Sequence, residues 1–367
     1  MDYLPQELVD KILESVQETK SLESCALVSR SFASSSQKRI FSSITLDARR
    51  IRAFSQLTAE SPHVFRLVHC MVIRLGYYEA DWNWVAFCDL VPRFTSLRRV
   101  SVIVSSAWSG YRTAAHRLLD AILALPSVTS VALSNFAFID PVDLVKSLDA
   151  CSTRLESLGL IWSLYSYSSE ALTPSPSSWL TKTLRSLVCE CTGPASVRPL
   201  VSMGRWHALT HLDATVNFPD AQPHLDQFLA NCSELRSCRF GLYFDAPPPI
   251  NMAPLVHLHT LEVVLCPPAS RAQIDHLIAI LVTAPSPSPL QRLIVAPFGG
   301  STLPEIGLEK LEDLLLDEAG KFAHRFRAFD LVVLRDEVPE VSNTAYYRAL
   351  LPRLDAKRLL HVELAKF

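Results

Sequence analysis

Apolar residues recur along most of this chain in one spacing: an apolar residue, two others, a second apolar residue, one other, and a third. We call each occurrence a triplet and name its apolar positions first, second and third. Twelve triplets follow one another, at Phe41/Ile44/Leu46, Val68/Met71/Ile73, Leu97/Val100/Val102, Val128/Val131/Leu133, Leu155/Leu158/Leu160, Leu184/Leu187/Cys189, Leu209/Leu212/Ala214, Leu235/Cys238/Phe240, Leu258/Leu261/Val263, Leu290/Leu293/Val295, Phe326/Phe329/Leu331 and Leu359/Val362/Leu364. Because side chains alternate between the two faces of a strand, the second and third positions predict a strand with one buried face.

Several segments between the triplets are typical of helices. They are Thr113–Leu125, Val142–Ala150, Leu225–Asn231, Ala272–Thr283, Leu308–Phe322 and Ala345–Leu351. Strands and helices alternating at intervals of 23 to 36 residues resemble the leucine-rich repeat. The resemblance implies an α/β solenoid, bent into a horseshoe, over residues 47–367. Only Asn217 and Cys266 occupy the position where that family commonly has asparagine or cysteine, so the repeat is degenerate. The alternative is an irregular α/β domain with a mixed sheet.

The first 46 residues have a different period. Leu4, Leu8, Ile12 and Val16 recur every four residues, and Val9 and Leu13 widen the stripe, which predicts an amphipathic helix. Two more short helix-like runs follow, at 21–30 and 32–40. Three helices of this size bury little surface. Their apolar residues must therefore pack on the rest of the chain or on a partner.

The order of residues in this segment resembles an F-box of the fungal type. Leu4-Pro-x-Glu-Leu8 is followed by Ile12-Leu13, then by Cys25-Ala-Leu-Val-Ser-Arg-Ser-Phe32, then by Ile40-Phe41. The resemblance implies an F-box at 1–46 that binds a Skp adaptor, with contacts among Leu4, Pro5, Leu8, Ile12, Leu13, Leu27, Val28 and Phe32. Many F-boxes carry a tryptophan where this chain has Ser31-Phe32. From periodicity alone, a helical cap on the following fold is the alternative.

Residues between the second and third triplet positions, and those just outside them, are predicted to project from the open face of the sheet. In the C-terminal half these residues include opposite charges in neighbouring repeats, which favour a protein or peptide ligand. The candidate substrate-binding residues are Glu190, His211, Asp213, Arg239, Glu262 and Arg292. A register slip of one residue would turn them to the other face. The aromatic segment Tyr77–Trp84 is a second candidate surface.

Composition and motifs limit the classes of function. The formal net charge of −2 provides no general basic field for nucleic acid, and the longest apolar stretch, Leu277–Val282, is too short to span a membrane. The nine cysteines are an odd number without zinc spacing, which favours reduced core thiols and a cytoplasmic or nuclear protein. Phosphate-binding glycine loops, His-Glu-x-x-His and Gly-x-Ser-x-Gly are all missing from the sequence. We therefore expect no catalytic site, no cofactor and no metal.

The F-box resemblance implies a substrate-recognition subunit of an SCF-type (cullin–RING) ubiquitin ligase. The F-box would bind the Skp adaptor, and through it cullin, while the repeats hold a target protein near the ubiquitin-charged enzyme. Two alternatives stay open. One is an F-box scaffold that acts outside ubiquitination, and the other is an enzyme on an irregular α/β domain.

Overall fold

The computed structural model describes most of the chain in two compact units. The described residues are 4–76, 84–104, 112–138, 147–148, 154–161, 164–165, 180–192, 200–201, 204–216, 222–242, 249–265, 270–297, 308–317, 319–322, 324–335 and 344–366. The first unit comprises Met1–Phe136 with Lys146–Glu156, and the second comprises Ala137–Val145 with Ser157–Phe367. The proposed domain boundary after residue 46 stays a prediction.

Three helices open the first unit: α1 (Gln6–Glu14), α2 (Thr19–Ala26) and α3 (Arg30–Ser42). We call residues 4–42 the N-terminal module. Its core consists of Val9, Leu13 and Leu22, with partly buried residues packed around them: Val16, Cys25, Phe32 and Ile40. Helix α3 is capped by Ser29, whose hydroxyl accepts a hydrogen bond from Phe32 N. The module thus has a small core of its own.

Four parallel strands complete the first unit in sequence order. They are β1 (Ser43–Leu46), β2 (Cys70–Leu75), β3 (Arg99–Val104) and β4 (Ser130–Ser134). Helices α4 (Ala48–Glu60), α5 (Trp84–Leu90) and α6 (Arg112–Leu123) alternate with them. Two 3₁₀ turns lie at Pro62–Arg66 and Val91–Arg93. Among the core residues, Phe54 stacks on Phe94 with ring centroids 5.9 Å apart.

The second unit repeats the same alternation. Strands β5 (Ala137–Phe138) and β7 (Leu164–Tyr165) form a two-stranded parallel pair of their own. The main parallel strands are β6 (Ser157–Ile161), β8 (Ser186–Thr192), β9 (His211–Val216), β10 (Ser237–Leu242), β11 (Thr260–Leu265), β12 (Arg292–Pro297), β13 (Ala328–Arg335) and β14 (Leu360–Lys366). Its helices are α7 (Leu180–Thr183), α8 (Gln222–Ala230), α9 (Arg271–Thr283), α10 (Leu308–Leu316), α11 (Thr344–Leu350) and α12 (Pro352–Ala356).

The triplets determine the strand register. In nine neighbouring pairs, the second position of one triplet lies opposite the second position of the next, as Leu212 does with Leu187 and with Cys238. The last pair differs. Phe329 lies opposite Leu360, two residues before the predicted partner Val362. The shift keeps the same face inward, because it is an even number of residues.

Polar contacts tie helices to the strands of the second unit. Ser270 and Gln273 form a capping box at the start of α9, and Gln273 Nε2 donates to the carbonyl of Leu242 at 3.0 Å. The carboxylate of Glu312, 2% exposed, accepts hydrogen bonds from Arg353 N and Leu354 N at the start of α12. A buried carboxylate is tolerated here because backbone N–H groups pair with it.

Candidate functional site

The N-terminal module exposes an unusual share of its apolar side chains. Of the seven large hydrophobic residues that are exposed among the described residues, five belong to it. Their exposed fractions are 47% for Leu4, 48% for Leu8, 46% for Ile12, 89% for Leu27 and 68% for Val28. We call these five residues the apolar surface. Single exposed apolar residues are common, whereas five in one small module are an unusual concentration.

Helix α1 is apolar on two sides, which explains this exposure. Val9 and Leu13, one turn apart, face inward and are 1% and 0% exposed. Leu8 and Ile12, also one turn apart, lie on the adjacent side, because successive helical residues differ by about 100°. The inward side fills the module's core, and the second side remains about half exposed.

A polar network holds α1 against α3. Ser35 Oγ donates to Asp10 Oδ1 at 2.6 Å, and Gln6 Nε2 donates to Ser35 Oγ at 2.7 Å and to Asp10 Oδ1 at 3.0 Å. The hydrogen bonds from Ser35 and then Gln6 lower the pKa of Asp10. This network fixes the rotation of α1 and therefore the direction in which Leu8 and Ile12 point.

The residues implied by the F-box resemblance thus occupy three environments. Leu4, Leu8, Ile12, Leu27 and Val28 are the exposed ones, as is Pro5, which stands at the N-cap of α1. Phe32 is half-buried and packs against the core. Leu13 is fully buried in that core, so its position suits internal packing. That any of the eight binds an adaptor stays a prediction.

The second unit presents a charged face on the outer side of its strands. Along β10 and β11 the triplet positions are buried, whereas Ser237, Arg239, Thr260 and Glu262 between them are not. Of the polar candidates, Arg239 and Glu262 are thus on the side of their strands that is not buried. Their role in binding a substrate stays a prediction.

Arg239 lies at the centre of this face, between carboxylates on both neighbouring strands. Its guanidinium is 3.1 Å from Asp213 Oδ2 on β9 and 3.1 Å from Glu262 Oε1 on β11. Burial acts to lower the pKa of Arg239, but Asp213 and Glu262 outweigh it and the pKa is raised. Glu190 on β8 contributes in the same direction. Arg239 is thus ion-paired with two carboxylates, and the carboxylate of Glu190 is a third one nearby.

A second ion pair lies further along the same face. Arg292 Nε on β12 is 2.5 Å from Asp330 Oδ2 on β13, and the Asp330 side chain is 13% exposed. The hydrogen bond and charge of Asp330 raise the pKa of Arg292, with Glu363 and Glu262 adding to the effect. His211, the remaining candidate, is exposed, and its Nδ1 lies 2.8 Å from Thr210 Oγ1.

Two members of this cluster, Asp330 and Glu363, were not predicted from the sequence. Asp330 stands between the second and third positions of its triplet, Phe329 and Leu331, so the pattern itself could have identified it. Glu363 likewise stands between the second and third positions of its triplet, Val362 and Leu364, so the same pattern could have identified it. With them, the charged face comprises Glu190, Asp213, Arg239, Glu262, Arg292, Asp330 and Glu363. Acids outnumber arginines in this set.

Three further findings bear on other kinds of site. In the described part of the chain, no group of three or more histidine, cysteine, aspartate or glutamate side chains is arranged to hold a metal ion. None of the helices described is both long enough and apolar enough to cross a membrane. The cysteines at 25, 70, 88, 189, 232 and 238 are free thiols. Of the aromatic segment Tyr77–Trp84, residues 77–83 lie outside the described residues.

Comparisons with known proteins find similarity to solved structures. No protein-family model matches the chain, and no curated protein matches it. Among solved structures, it is similar to the leucine-rich repeat-containing protein LegL7 from Legionella pneumophila. The two share 14% sequence identity, the match covers 76% of this chain and 98% of that chain, and the TM-score is 0.40. The assignment to a mixed α/β fold with parallel repeat strands rests on the strand register described above.

Proposed function

We propose that this protein is a substrate-recognition adaptor of an SCF-type ubiquitin ligase. In this role the N-terminal module is an F-box that binds a Skp-family adaptor, and the repeat strands bind a target protein. The observation that carries the proposal is the apolar surface, Leu4, Leu8, Ile12, Leu27 and Val28. It coincides with residues that the F-box resemblance implies for adaptor contact.

The energetics favour a protein partner on this surface. Complete burial of a leucine, isoleucine or valine side chain stabilises by about 1.5–3 kcal/mol. The five side chains keep between 46% and 89% of their area exposed, so much of that stabilisation is available to a partner. The polar network of Gln6, Asp10 and Ser35 presents α1 in a fixed orientation, which lowers the entropy cost of binding.

The charged face supports the second half of the proposal. Polar and charged side chains project from successive strands at a spacing of about 4.8 Å, and a target segment that lies across several strands could contact them in turn. In this proposal the ligase carries out ubiquitin transfer, and this chain does not. The adaptor contributes proximity, because it raises the effective concentration of target lysines near the ubiquitin-charged enzyme.

Co-expression with a Skp-family adaptor tests the first half. Wild-type protein should co-purify with the adaptor, and Leu8→Asp should abolish co-purification, because a carboxylate would be buried without a partner. The matched control is Val256→Asp, since Val256 is 51% exposed and lies outside the module. It should leave binding unchanged.

Leu27→Asp provides an independent variant, because Leu27 is 89% exposed and makes no part of the module's core. The adaptor assignment would be refuted if the wild type did not bind. It would also be refuted if Leu8→Asp and Leu27→Asp both bound the adaptor as well as the wild type does. Binding to the adaptor without recruitment of cullin would instead indicate an F-box scaffold that acts outside ubiquitination.

A further inference from the structure

Basic residues concentrate where the chain leads into the strands of the second unit. Each of the strands β8 to β14 is preceded by a short stretch that begins after a helix or, for β9 and β11, after residues 203 and 248. The described residues of these stretches include eight lysines and arginines: Arg185, Arg205, Arg236, Lys321, Arg325, Arg327, Lys357 and Arg358. The described residues of the same stretches include two acids, Glu234 and Asp317, and Glu318 lies in one of these stretches outside the described residues. The carboxylate of Asp317 accepts a hydrogen bond from Ala319 N, so it serves the local turn.

The backbone brings six residues that directly precede strands into one line, and three of them are among these arginines. Thr210 N donates to the carbonyl of Arg185 at 3.0 Å, Arg236 N to Thr210 at 2.9 Å, and His259 N to Arg236 at 2.8 Å. The series continues from Gln291 N to His259 at 2.9 Å and from Arg327 N to Gln291 at 2.7 Å. We call Arg185, Thr210, Arg236, His259, Gln291 and Arg327 the basic row. Six adjacent strands thus each contribute one residue to the same edge.

The three arginines of the basic row have no acidic partner in the part of the chain that the structure describes. Arg185, Arg236 and Arg327 are exposed, and none of them joins an ion pair among the described residues. The arginines of the charged face differ, since Arg239 and Arg292 are held by carboxylates. Three unpaired guanidinium groups in one line, without an acid among the six residues, form a surface complementary to negative charge.

We infer that the basic row binds an acidic, extended segment of a partner protein. Five steps between six strands span about 24 Å, which corresponds to about seven residues of extended peptide. The inference names the class of segment that the repeats of the proposed adaptor hold. Its test requires no Skp adaptor, so it and the proposed adaptor role can fail separately.

Two features favour a peptide over a nucleic acid. None of the six residues is tryptophan, tyrosine or phenylalanine, so the row lacks the aromatic side chains on which bases stack. Three residues further along β9, β11 and β13 stand Asp213, Glu262 and Asp330, about 10 Å away along the strands. A wide polyphosphate chain would meet these carboxylates, whereas an extended peptide fits along the row alone.

Fluorescence anisotropy with short labelled probes tests the inference. The probe is a peptide of alternating glutamate and serine, and its neutral counterpart has glutamine for glutamate. The triple variant R185Q/R236Q/R327Q should weaken binding of the acidic peptide by about tenfold or more, since three charge interactions with its glutamates are lost together. The matched control is R271Q/K310Q/R348Q, which removes the same charge from exposed positions on α9, α10 and α11 and should bind within about twofold of wild type.

Thermal melts of both triple variants establish that each is folded. The inference is overturned if the acidic peptide does not bind the wild type, or if R185Q/R236Q/R327Q binds it as tightly as the control does. It is also overturned if the neutral peptide binds equally well. Tighter binding of single-stranded oligothymidylate, lost in R185Q/R236Q/R327Q, would replace the acidic peptide with a nucleic acid.

Discussion

The N-terminal module and the strands of the second unit distribute their apolar residues in opposite ways. In the module, helix α1 buries Val9 and Leu13 but leaves Leu8 and Ile12 about half exposed. In β10, Cys238 and Phe240 are buried, and the residues that alternate with them, Ser237 and Arg239, are polar. The strand has one apolar side and buries it, whereas the helix has two and buries one.

The apolar side chains of a repeat strand are buried within the chain itself, whereas the exposed apolar side chains of the module are left for a partner to bury. A strand in the repeats buries its apolar side and presents charged side chains outward, so the proposed target would bind without exposing the core. The module instead leaves the side chains of the apolar surface outside its own core. We therefore expect substitutions to affect stability in one region and association in the other, and four predictions test that contrast.

The largest expected effect is on a buried triplet position. Leu212→Arg should destabilise the second unit by about 3–5 kcal/mol, because Leu212 is 3% exposed and an unpaired charge would be buried there. The control is His211→Arg, which adds the same side chain at the exposed neighbouring position. Thermal unfolding followed by circular dichroism should separate the two variants. Equal midpoints would show that the two faces of β9 are not distinguished as described.

The contrast within α1 comes next. Leu13→Ala should cost the module about 2–4 kcal/mol, because Leu13 is fully buried. Leu8→Ala, the matched truncation on the exposed side of the same helix, should cost within about 0.5 kcal/mol. Hydrogen exchange of peptides from residues 4–42 measures both effects locally. If Leu8→Ala accelerated exchange as much as Leu13→Ala, the apolar surface would be part of the module's core.

A smaller effect is expected at the centre of the charged face. Arg239→Glu would place a third carboxylate between Asp213 and Glu262, and like charges on adjacent strands should cost about 1 kcal/mol at low salt. Arg239→Gln should cost less, since it removes the cation without adding an acid. Midpoints of thermal unfolding measured against salt concentration test this, because screening should shrink the difference between the variants.

The smallest effect concerns pH and separates the two regions again. Burial lowers the pKa of His276 in α9, and its Nε2 has no hydrogen-bond partner among the described residues. As pH falls below the ordinary histidine value of about 6.5, the unfolded chain binds a proton that the folded one does not, so stability decreases. Residues 4–42 contain no histidine, so the module should not share this loss.

Denaturant titrations between about pH 7.5 and 5.5 measure the effect. His276→Gln should lose less stability on acidification than the wild type loses. An identical pH dependence in both proteins would remove His276 as its source, and a gain in stability on acidification would contradict the expected direction.

Much of the repeat architecture could be predicted because the strand pattern is local and redundant. Each triplet identifies an inward face by itself, and nine neighbouring pairs then align as expected. Where the prediction was wrong, local chemistry intervened. The helix expected to continue to Phe322 ends at Leu316, because Asp317 closes a turn through Ala319 N and Gly320 N. In β14, Leu360 supplies an inward apolar residue ahead of Val362 and moves the register.

The candidate sites were less predictable, since they depend on which residues become neighbours. The stripe in α1 identified Leu4, Leu8, Ile12, Val9 and Leu13 as one apolar set, but periodicity alone cannot say which of two adjacent sides faces inward. The pairing of Arg239 with Asp213 and Glu262 required the register of three strands. Arg185 and Arg327 are far apart in sequence, and only the stacking of the strands brings them into the basic row.

The constant register also bears on how such a chain can change over evolutionary time. At the third triplet position, the strands from β6 to β13 hold leucine, cysteine, alanine, phenylalanine or valine, all buried. The backbone ladder depends on none of these identities, so inward positions can drift among apolar residues while outward positions drift freely. Proteins with this architecture can therefore change their binding surface, and lose detectable sequence similarity to their relatives, while they keep the same fold.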